Sequence, residues 1–179
     1  MELTNSDRFR VDETGNSIGI FTRELPQGVD HRLLQELADK VINGEHSSVR
    51  LCLHDGPSAD FHTMIIVDSL GTFYRPHKHR YKGECFHIIQ GSLGLVLFDE
   101  DGQIQEACTL SAEQMPIYRL PVDVYHTVLP LTNLVIYHES KLGPYLESGD
   151  SIYPTWSPEG SDTAEIRRRI EDLLGVDDL

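Results

Sequence analysis

Nine short segments rich in β-branched and aromatic residues follow one another between Ser48 and Glu139, separated by turn residues. They read SVRLCL, FHTMIIV, GTFYRPH, ECFHIIQG, LGLVLFD, EACTL, PIYRLP, HTVLPL and NLVIYHE. Strands this short and this closely spaced are typical of an antiparallel sandwich or barrel. The segment Asp99–Gly102 predicts a hairpin turn, because Asp and Gly tolerate positive φ. The pattern therefore predicts an all-β-dominated domain.

One helix is predicted on each side of this region. The first runs from Asp30 to Asn43, with Asp30 as its cap and Gly44 just past its end, and its apolar positions recur at helical spacing: Leu33, Leu34, Leu37 and Val41. The second begins at the capping-box pair Asp162 and Glu165 and ends before Gly175; its apolar face is Ile166, Ile170, Leu173 and Leu174. A weaker alternating pattern over Asn16–Leu25 predicts a strand at a sheet edge.

The charge balance limits the classes of partner. The 179 residues include 15 Lys and Arg against 29 Asp and Glu, a net charge of −14. A field of that sign repels phosphate backbones and anionic lipid, so neither nucleic acid nor a membrane is an expected partner. Cys52, Cys85 and Cys108 form no CxxC pair, which predicts free thiols in a reducing compartment. With no signal-like or membrane-spanning apolar stretch, the sequence predicts a cytoplasmic protein.

Four potential metal ligands lie on the predicted strands: His77, His79, Glu84 and His126. The i, i+2 spacing of the first two histidines would place both imidazoles on one face of an extended strand. Three imidazoles and one carboxylate suit one divalent transition metal ion, namely Fe, Mn, Co, Ni or Zn. The alternative is a group of polar side chains satisfied by hydrogen bonds.

The spacing Gly71-x5-His77-x-His79-x4-Glu84-x6-Gly91 resembles the first signature motif of the cupin superfamily. Pro121-x-Asp123-x-x-His126 resembles the second motif, with Asp123 in the place of a glycine and Pro130 where the superfamily usually has Asn. The resemblance implies a cupin fold, the double-stranded β-helix or jelly-roll barrel, with one N-terminal and one C-terminal peripheral helix. These two departures concern the turn geometry more than the ligand.

The tail narrows this resemblance. Lys141-Leu142-Gly143-Pro144-Tyr145 and Trp156-Ser157-Pro158-Glu159 resemble the tail of the WbuC-type cupin-fold metalloproteins, which are often associated with O-antigen and exopolysaccharide gene clusters. It implies a single cupin domain over 1–179, with a core barrel at about 48–140, an N-terminal extension over 1–47, and a tail and helix over 141–179. It also implies a homodimer.

Further side chains are candidates for substrate contact and proton transfer. Arg75 shares the strand parity of His77 and His79, so it would hold a carboxylate or phosphate of a substrate, or pair with an acid at the rim. Lys82 matches a position associated with the resembled family. Together with Arg75, Lys82 and Tyr145 are the candidate contacts to a small-molecule substrate. Tyr145, Tyr153 and Trp156 either form an aromatic wall for a sugar ring or pack the tail. Glu139 is the candidate catalytic residue.

The other six histidines are not assigned as ligands. His31 and His46 are expected to face solvent, and His87 is expected to point away from Glu84. For His54, His62 and His138 the sequence leaves open whether they line the cavity or fill structure.

Three functions follow from these residues. The first is a metal-dependent enzyme, an isomerase or epimerase, acting on a sugar or sugar nucleotide in cell-surface polysaccharide metabolism, as the resemblance implies. The second is an Fe(II)-dependent dioxygenase of a small organic acid, and the third is a binding or sensing module without chemistry. The same ligand set serves all three, so it does not choose among them. In each, metal affinity should fall as pH drops through the imidazole range.

Overall fold

The computed structural model describes residues 3, 7–13, 17–23, 28–157 and 163–175. Within them lie ten strands and two α-helices, and a 3-10 turn at Glu147–Gly149. The strands are β1 (Phe9–Asp12), β2 (Ile18–Thr22), β3 (Ser48–Cys52), β4 (Phe61–Ser69), β5 (Glu84–Gln90), β6 (Ser92–Phe98), β7 (Ile104–Ser111), β8 (Ile117–Leu120), β9 (Tyr125–Pro130) and β10 (Leu134–Leu142). The helices are α1 (His31–Ile42) and α2 (Thr163–Leu174).

The strands form two sheets. Seven strands lie in the order β1-β2-β3-β4-β10-β5-β8, and three in the order β7-β6-β9. All pairs are antiparallel except β2 with β3. The prediction of a mostly β chain with two peripheral helices is confirmed. In the described ranges the strand pairings do not close the two sheets into one barrel, so the jelly-roll barrel stays a prediction.

Strand alternation creates one interior and two outer cores. In β4, Met64 and Ile66 join the cluster between the sheets, whereas Ile65 and Val67 join a cluster beneath α1. Ile170 of α2 packs against the outer face of the small sheet. The order of layers is therefore α1, large sheet, small sheet, α2, with the interior cluster in the middle.

The ends of α1 follow the sequence signals. The Asp30 carboxylate accepts a hydrogen bond from the backbone N–H of Leu33 at 2.9 Å, and Gly44 has φ +73°. Gly175 after α2 also has positive φ, but Leu173 is exposed, so the predicted apolar face is narrower than expected. Asp162, the predicted cap, lies outside the described residues, as do Asn16, Glu24 and Leu25 at the ends of the predicted edge strand.

The two glycines that frame the first motif differ in their constraints. Gly91 has φ +79°, and a Cβ there would lie 2.4 Å from the Leu134 carbonyl oxygen, whereas a Cβ on Gly71 would meet no heavy atom within 4 Å. We expect Gly91→Ala to lower the free energy of unfolding by more than about 2 kcal/mol, from backbone strain and the contact together. Gly71→Ala, the matched control, should change it by less than about 0.5 kcal/mol. Equal effects in denaturant unfolding would contradict this account.

A carboxyl group lies in the interior cluster. Asp68 of β4 is fully buried and accepts hydrogen bonds from the hydroxyls of Tyr74 and Tyr137, both at 3.0 Å. Burial raises the pKa of Asp68 from 3.8 to about 6, although these hydrogen bonds act in the opposite direction. The folded protein thus holds this proton more tightly than the unfolded chain does.

Stability should therefore depend on pH through Asp68. Its contribution is largest below about pH 4 and is lost as pH rises through about 6, a change of about 3 kcal/mol in the free energy of unfolding. Asp68→Asn keeps the shape of the side chain but removes the titrating carboxyl group. The free energy of unfolding of this variant should therefore not fall as pH rises through about 6. Denaturant unfolding of both proteins from pH 4 to 7 measures the difference, and parallel curves would refute the assignment.

Candidate metal centre

The segment before β5 carries two of the predicted ligands. GTFYRPH, predicted as a strand, is not a regular strand: residues 72–75 have no assigned secondary structure. At the end of this segment, His77 and Lys78 form isolated bridges with His126 and Ile152. The backbone of His77 pairs with His126 of β9 through hydrogen bonds of 3.0 and 2.9 Å. This bridge brings His77 and His126 together although they lie 49 positions apart in the chain.

Glu84 and His126 extend the interior face of the sheets. Glu84 lies two residues before Phe86 on β5, and His126 two residues before Val128 on β9; both apolar residues belong to the interior cluster. Since alternate residues share a face, the two polar side chains lie at one end of the interior cluster. Both are almost completely buried.

Three imidazoles converge at this end. One ring nitrogen from each of His77, His79 and His126 lies within 4.8 Å of the other two. Each Nδ1 lies within hydrogen-bond distance of a backbone carbonyl, respectively that of Arg75 at 2.7 Å, Asp150 at 2.5 Å and Val124 at 3.0 Å. Because a carbonyl only accepts, each Nδ1 carries a proton, so each Nε2 has a lone pair in the neutral imidazole.

The Glu84 carboxylate faces two of these lone pairs. Oε1 lies 3.1 Å from His79 Nε2, and Oε2 lies 3.0 Å from His126 Nε2. His79 Nε2 is buried and has no hydrogen bond of ordinary geometry within the described residues. Two acceptors this close require a proton or a cation between them. Ligands about 2.1 Å from an ion and at right angles are about 3.0 Å apart, so the donor set fits a divalent metal.

Lys141 is the nearest cation to this carboxylate. It lies opposite Glu84 in the β10–β5 register, and its Nζ is 2.8 Å from Glu84 Oε1 and 3.0 Å from Glu139 Oε1. Burial opposes ionisation of Glu84, but Lys141 and the histidines hold its pKa well below the usual range. Burial likewise opposes the charge on Lys141, whose pKa the two carboxylates nevertheless raise. The sequence identified Lys141 only as part of a tail motif, although it shares its strand parity with Glu139.

The two neighbouring imidazoles differ in basicity. Burial lowers the pKa of His77 to about 3, and the neighbouring His126 acts in the same direction. Burial also acts to lower the pKa of His79, but Glu84 outweighs it and the pKa is raised. His77 is partly exposed, whereas His79 and His126 are buried.

Asp123, which replaces a glycine of the second motif, adopts a glycine-like conformation. Its φ is 61°, in the left-handed region that Asp tolerates better than most residues. The backbone N–H of Asp123 donates to the His79 carbonyl at 2.8 Å, and its carboxylate lies 3.1 Å from Lys78 Nζ. The turn before His126 therefore keeps the geometry that the substitution put in question.

Two of the three predicted substrate contacts, Arg75 and Lys82, have partners within the protein. Arg75 donates to the Ser157 carbonyl and lies 4.5 Å above the Tyr153 ring. Lys82 Nζ contacts the Asp150 carboxylate and the Pro144 carbonyl. Tyr145 is more than half exposed. Glu139 is linked to the cluster by Lys141, whose Nζ contacts both Glu139 and Glu84. The roles of Arg75, Lys82, Tyr145 and Glu139 in substrate chemistry stay predictions.

Of the aromatic residues in the tail, Tyr153 lies nearest the cluster, with its ring 5.8 Å from that of His77. Trp156 packs on Phe98 and Tyr125 at the outer face of the small sheet, which favours the packing role over a sugar-binding wall. Pro158 and Glu159, the end of the tail motif, lie outside the described residues.

The remaining histidines lie elsewhere. His54 and His62 are buried and stacked, with ring centroids 4.3 Å apart, and each contacts a backbone carbonyl. His138 contacts the Thr63 hydroxyl, and His87 is exposed. His31 is exposed and His46 is partly exposed.

Sequence reasoning missed Asp150. Its backbone carbonyl accepts from His79 Nδ1, and its carboxylate accepts from Lys82 and, at 3.1 Å, from the Leu146 N–H. No spacing pattern indicates this residue, because it follows an irregular tail 71 positions after His79.

Comparison with solved structures identifies the fold. The capsular polysaccharide assembling protein CapF from Staphylococcus aureus aligns with 59% of this chain at 14% identity and a TM-score of 0.50. CapF is a cupin-fold protein. The fold is cupin-like. KdgF from Halomonas sp. covers 57% of the chain at 17% identity, with a TM-score of 0.45 and 84% of its own length aligned.

The alignment with CapF covers only part of that protein. This chain spans 29% of the length of CapF. A domain of unknown function, DUF6016, matches residues 29–110, which include His77, His79 and Glu84 but end before His126. No curated protein matches the sequence. No helix among the described residues is long and apolar enough to cross a membrane.

Proposed function

We propose that this chain is a divalent-metal enzyme that acts on a sugar or sugar nucleotide in cell-surface polysaccharide metabolism. One observation carries the metal part: the Nε2 atoms of His79 and His126 face the Glu84 carboxylate at 3.0–3.1 Å in a cluster of three histidines. The WbuC-type resemblance supports the polysaccharide part, as does the description of CapF as a capsular polysaccharide assembling protein. A cytoplasmic homodimer belongs to the same proposal.

The residues divide into two roles. His77, His79, His126 and Glu84 would hold the ion, which when bound supplies a Lewis acid that polarises a substrate oxygen. Glu139 is the group that moves a proton, because its carboxylate shares the Lys141 ammonium with Glu84 and the residue is only 9% exposed, which shields it from bulk water. Lys141 fixes that carboxylate at 3.0 Å and balances the charge of Glu84.

The test begins with elemental analysis of protein purified without chelator or affinity metal. We expect close to one equivalent of a transition metal, and loss of that metal in His126→Ala. The loaded protein is then incubated with a panel of nucleotide sugars, and product formation and thermal stability are measured. Turnover that Glu139→Gln abolishes without releasing the metal would support the proposal.

Two outcomes would replace it. Oxygen uptake with a small organic acid that Fe(II) supports and Zn(II) does not would identify a dioxygenase. Thermal protection by a ligand with no turnover would identify a binding module. A protein that retains no metal and binds none on titration would remove the metal centre itself.

A further inference from the structure

Next to the histidine cluster lies an ion pair whose two side chains are both buried. The side chains of Lys82 and Asp150 are 6% and 4% exposed, and Lys82 Nζ contacts the Asp150 carboxylate directly. Taking two charges out of water costs free energy that their attraction often fails to recover, so stability alone is a weak reason for such a pair. In some proteins a buried polar or ionic group instead fixes one conformation.

This pair joins the tail to the ligand segment. Besides Asp150, Lys82 Nζ contacts the Pro144 carbonyl, and the Asp150 carboxylate also accepts from the Leu146 N–H at 3.1 Å. The chain from 144 to 150 is thereby held in a loop around one ammonium group. Immediately after this loop, Ile152 and Lys78 exchange two backbone hydrogen bonds of 2.9 and 3.0 Å.

The loop ends on a ring nitrogen of the cluster. The backbone carbonyl of Asp150 lies 2.5 Å from His79 Nδ1, so this carbonyl fixes the tautomer that directs Nε2 towards Glu84. His77 and His126 obtain the same bond from carbonyls two residues away in their own segments, those of Arg75 and Val124. His79 alone of the three depends on a carbonyl from a distant part of the chain.

We propose that Lys82 and Asp150 are positioning residues for the metal centre: their ion pair sets the Asp150 carbonyl, and that carbonyl orients His79. This role differs from the substrate contact that the sequence suggests for Lys82. It rests on the proposed metal site but on no particular reaction. The carboxyl-terminal tail is then a structural part of the centre.

The test compares three variants as purified full-length chains. Lys82→Met retains the apolar stem and removes the charge, and Asp150→Asn retains the backbone carbonyl and weakens the pair. Lys40→Met is the control, because Lys40 lies on α1 and pairs with Glu45 at 3.5 Å, away from the cluster and the tail loop. Affinities for Zn²⁺ and Co²⁺ are measured by competition with a chelator of known affinity.

We expect Lys82→Met to weaken metal binding by about tenfold to a hundredfold, the range typical for partners that orient a ligand. Asp150→Asn should show a smaller loss in the same direction. The visible absorption spectrum of the Co²⁺ protein should shift in both, because the orientation of one imidazole changes, and Lys82→Arg should restore it in part. Lys40→Met should leave the affinity unchanged, because a surface ion pair remote from the ligands does not orient them.

Wild-type affinity and an unchanged Co²⁺ spectrum in Lys82→Met would overturn the inference and leave the metal site intact. An equal loss in Lys40→Met would also overturn it, because the effect would then not be specific to the Lys82–Asp150 pair. If Lys82→Met fails to fold, Asp150→Asn decides by the same two measurements. Failure of the wild-type chain to bind either ion would instead refute the proposed function.

Discussion

His126→Ala is expected to reduce metal affinity by more than about a hundredfold. Structural zinc sites bind with about 10–16 kcal/mol shared among four ligands, so one ligand contributes about 3 kcal/mol. His126 is buried, its Nε2 is 3.0 Å from Glu84 Oε2, and its backbone bridge to His77 does not depend on the side chain. The variant should therefore keep the fold and lose the ion. Isothermal titration with Zn²⁺ measures the loss.

The control is His87→Ala. His87 lies on β5, three residues after Glu84, and faces solvent. Its replacement should leave the affinity unchanged. If His126→Ala binds zinc as tightly as the wild type, the cluster is not the metal site. A loss of affinity in His87→Ala would likewise contradict the assignment.

Lys141→Met is expected to lower the stability of the metal-free protein by about 3–5 kcal/mol, the range for removal of one partner from a buried ion pair. Without Lys141, the carboxylates of Glu84 and Glu139 lose the cation that lies 2.8 and 3.0 Å from them. A divalent ion bound beside Glu84 would replace the lost charge. Metal should therefore stabilise Lys141→Met by more than it stabilises the wild type.

Thermal unfolding with Zn²⁺ and with chelator, for both proteins, measures this difference. Lys40→Met is the control, because Lys40 forms a surface ion pair with Glu45 at 3.5 Å and such pairs contribute little. The same metal-induced rise in Tm for Lys141→Met and for the wild type would show that Glu84 is not coupled to the ion.

The sequence predicted the elements with strong local signals. The cap at Asp30 and the end of α1 at Gly44 follow from side-chain chemistry within a few residues. Eight of the nine strand segments overlap observed strands, whereas GTFYRPH does not. β1 was not predicted, because a strand of four residues is too short to show a clear alternation of apolar and polar side chains.

The sequence by itself determined which residue types are available at the candidate site and, through period-two alternation, that Glu84 and His126 share faces with core residues. Only the tertiary structure decided how these groups meet. The His77–His126 bridge, the Glu84–Lys141 pair and the Asp150 carbonyl on His79 each join residues 49–71 positions apart. Alternation specifies a face within one strand, but the distance between strands and the path of an irregular tail depend on packing over the whole chain.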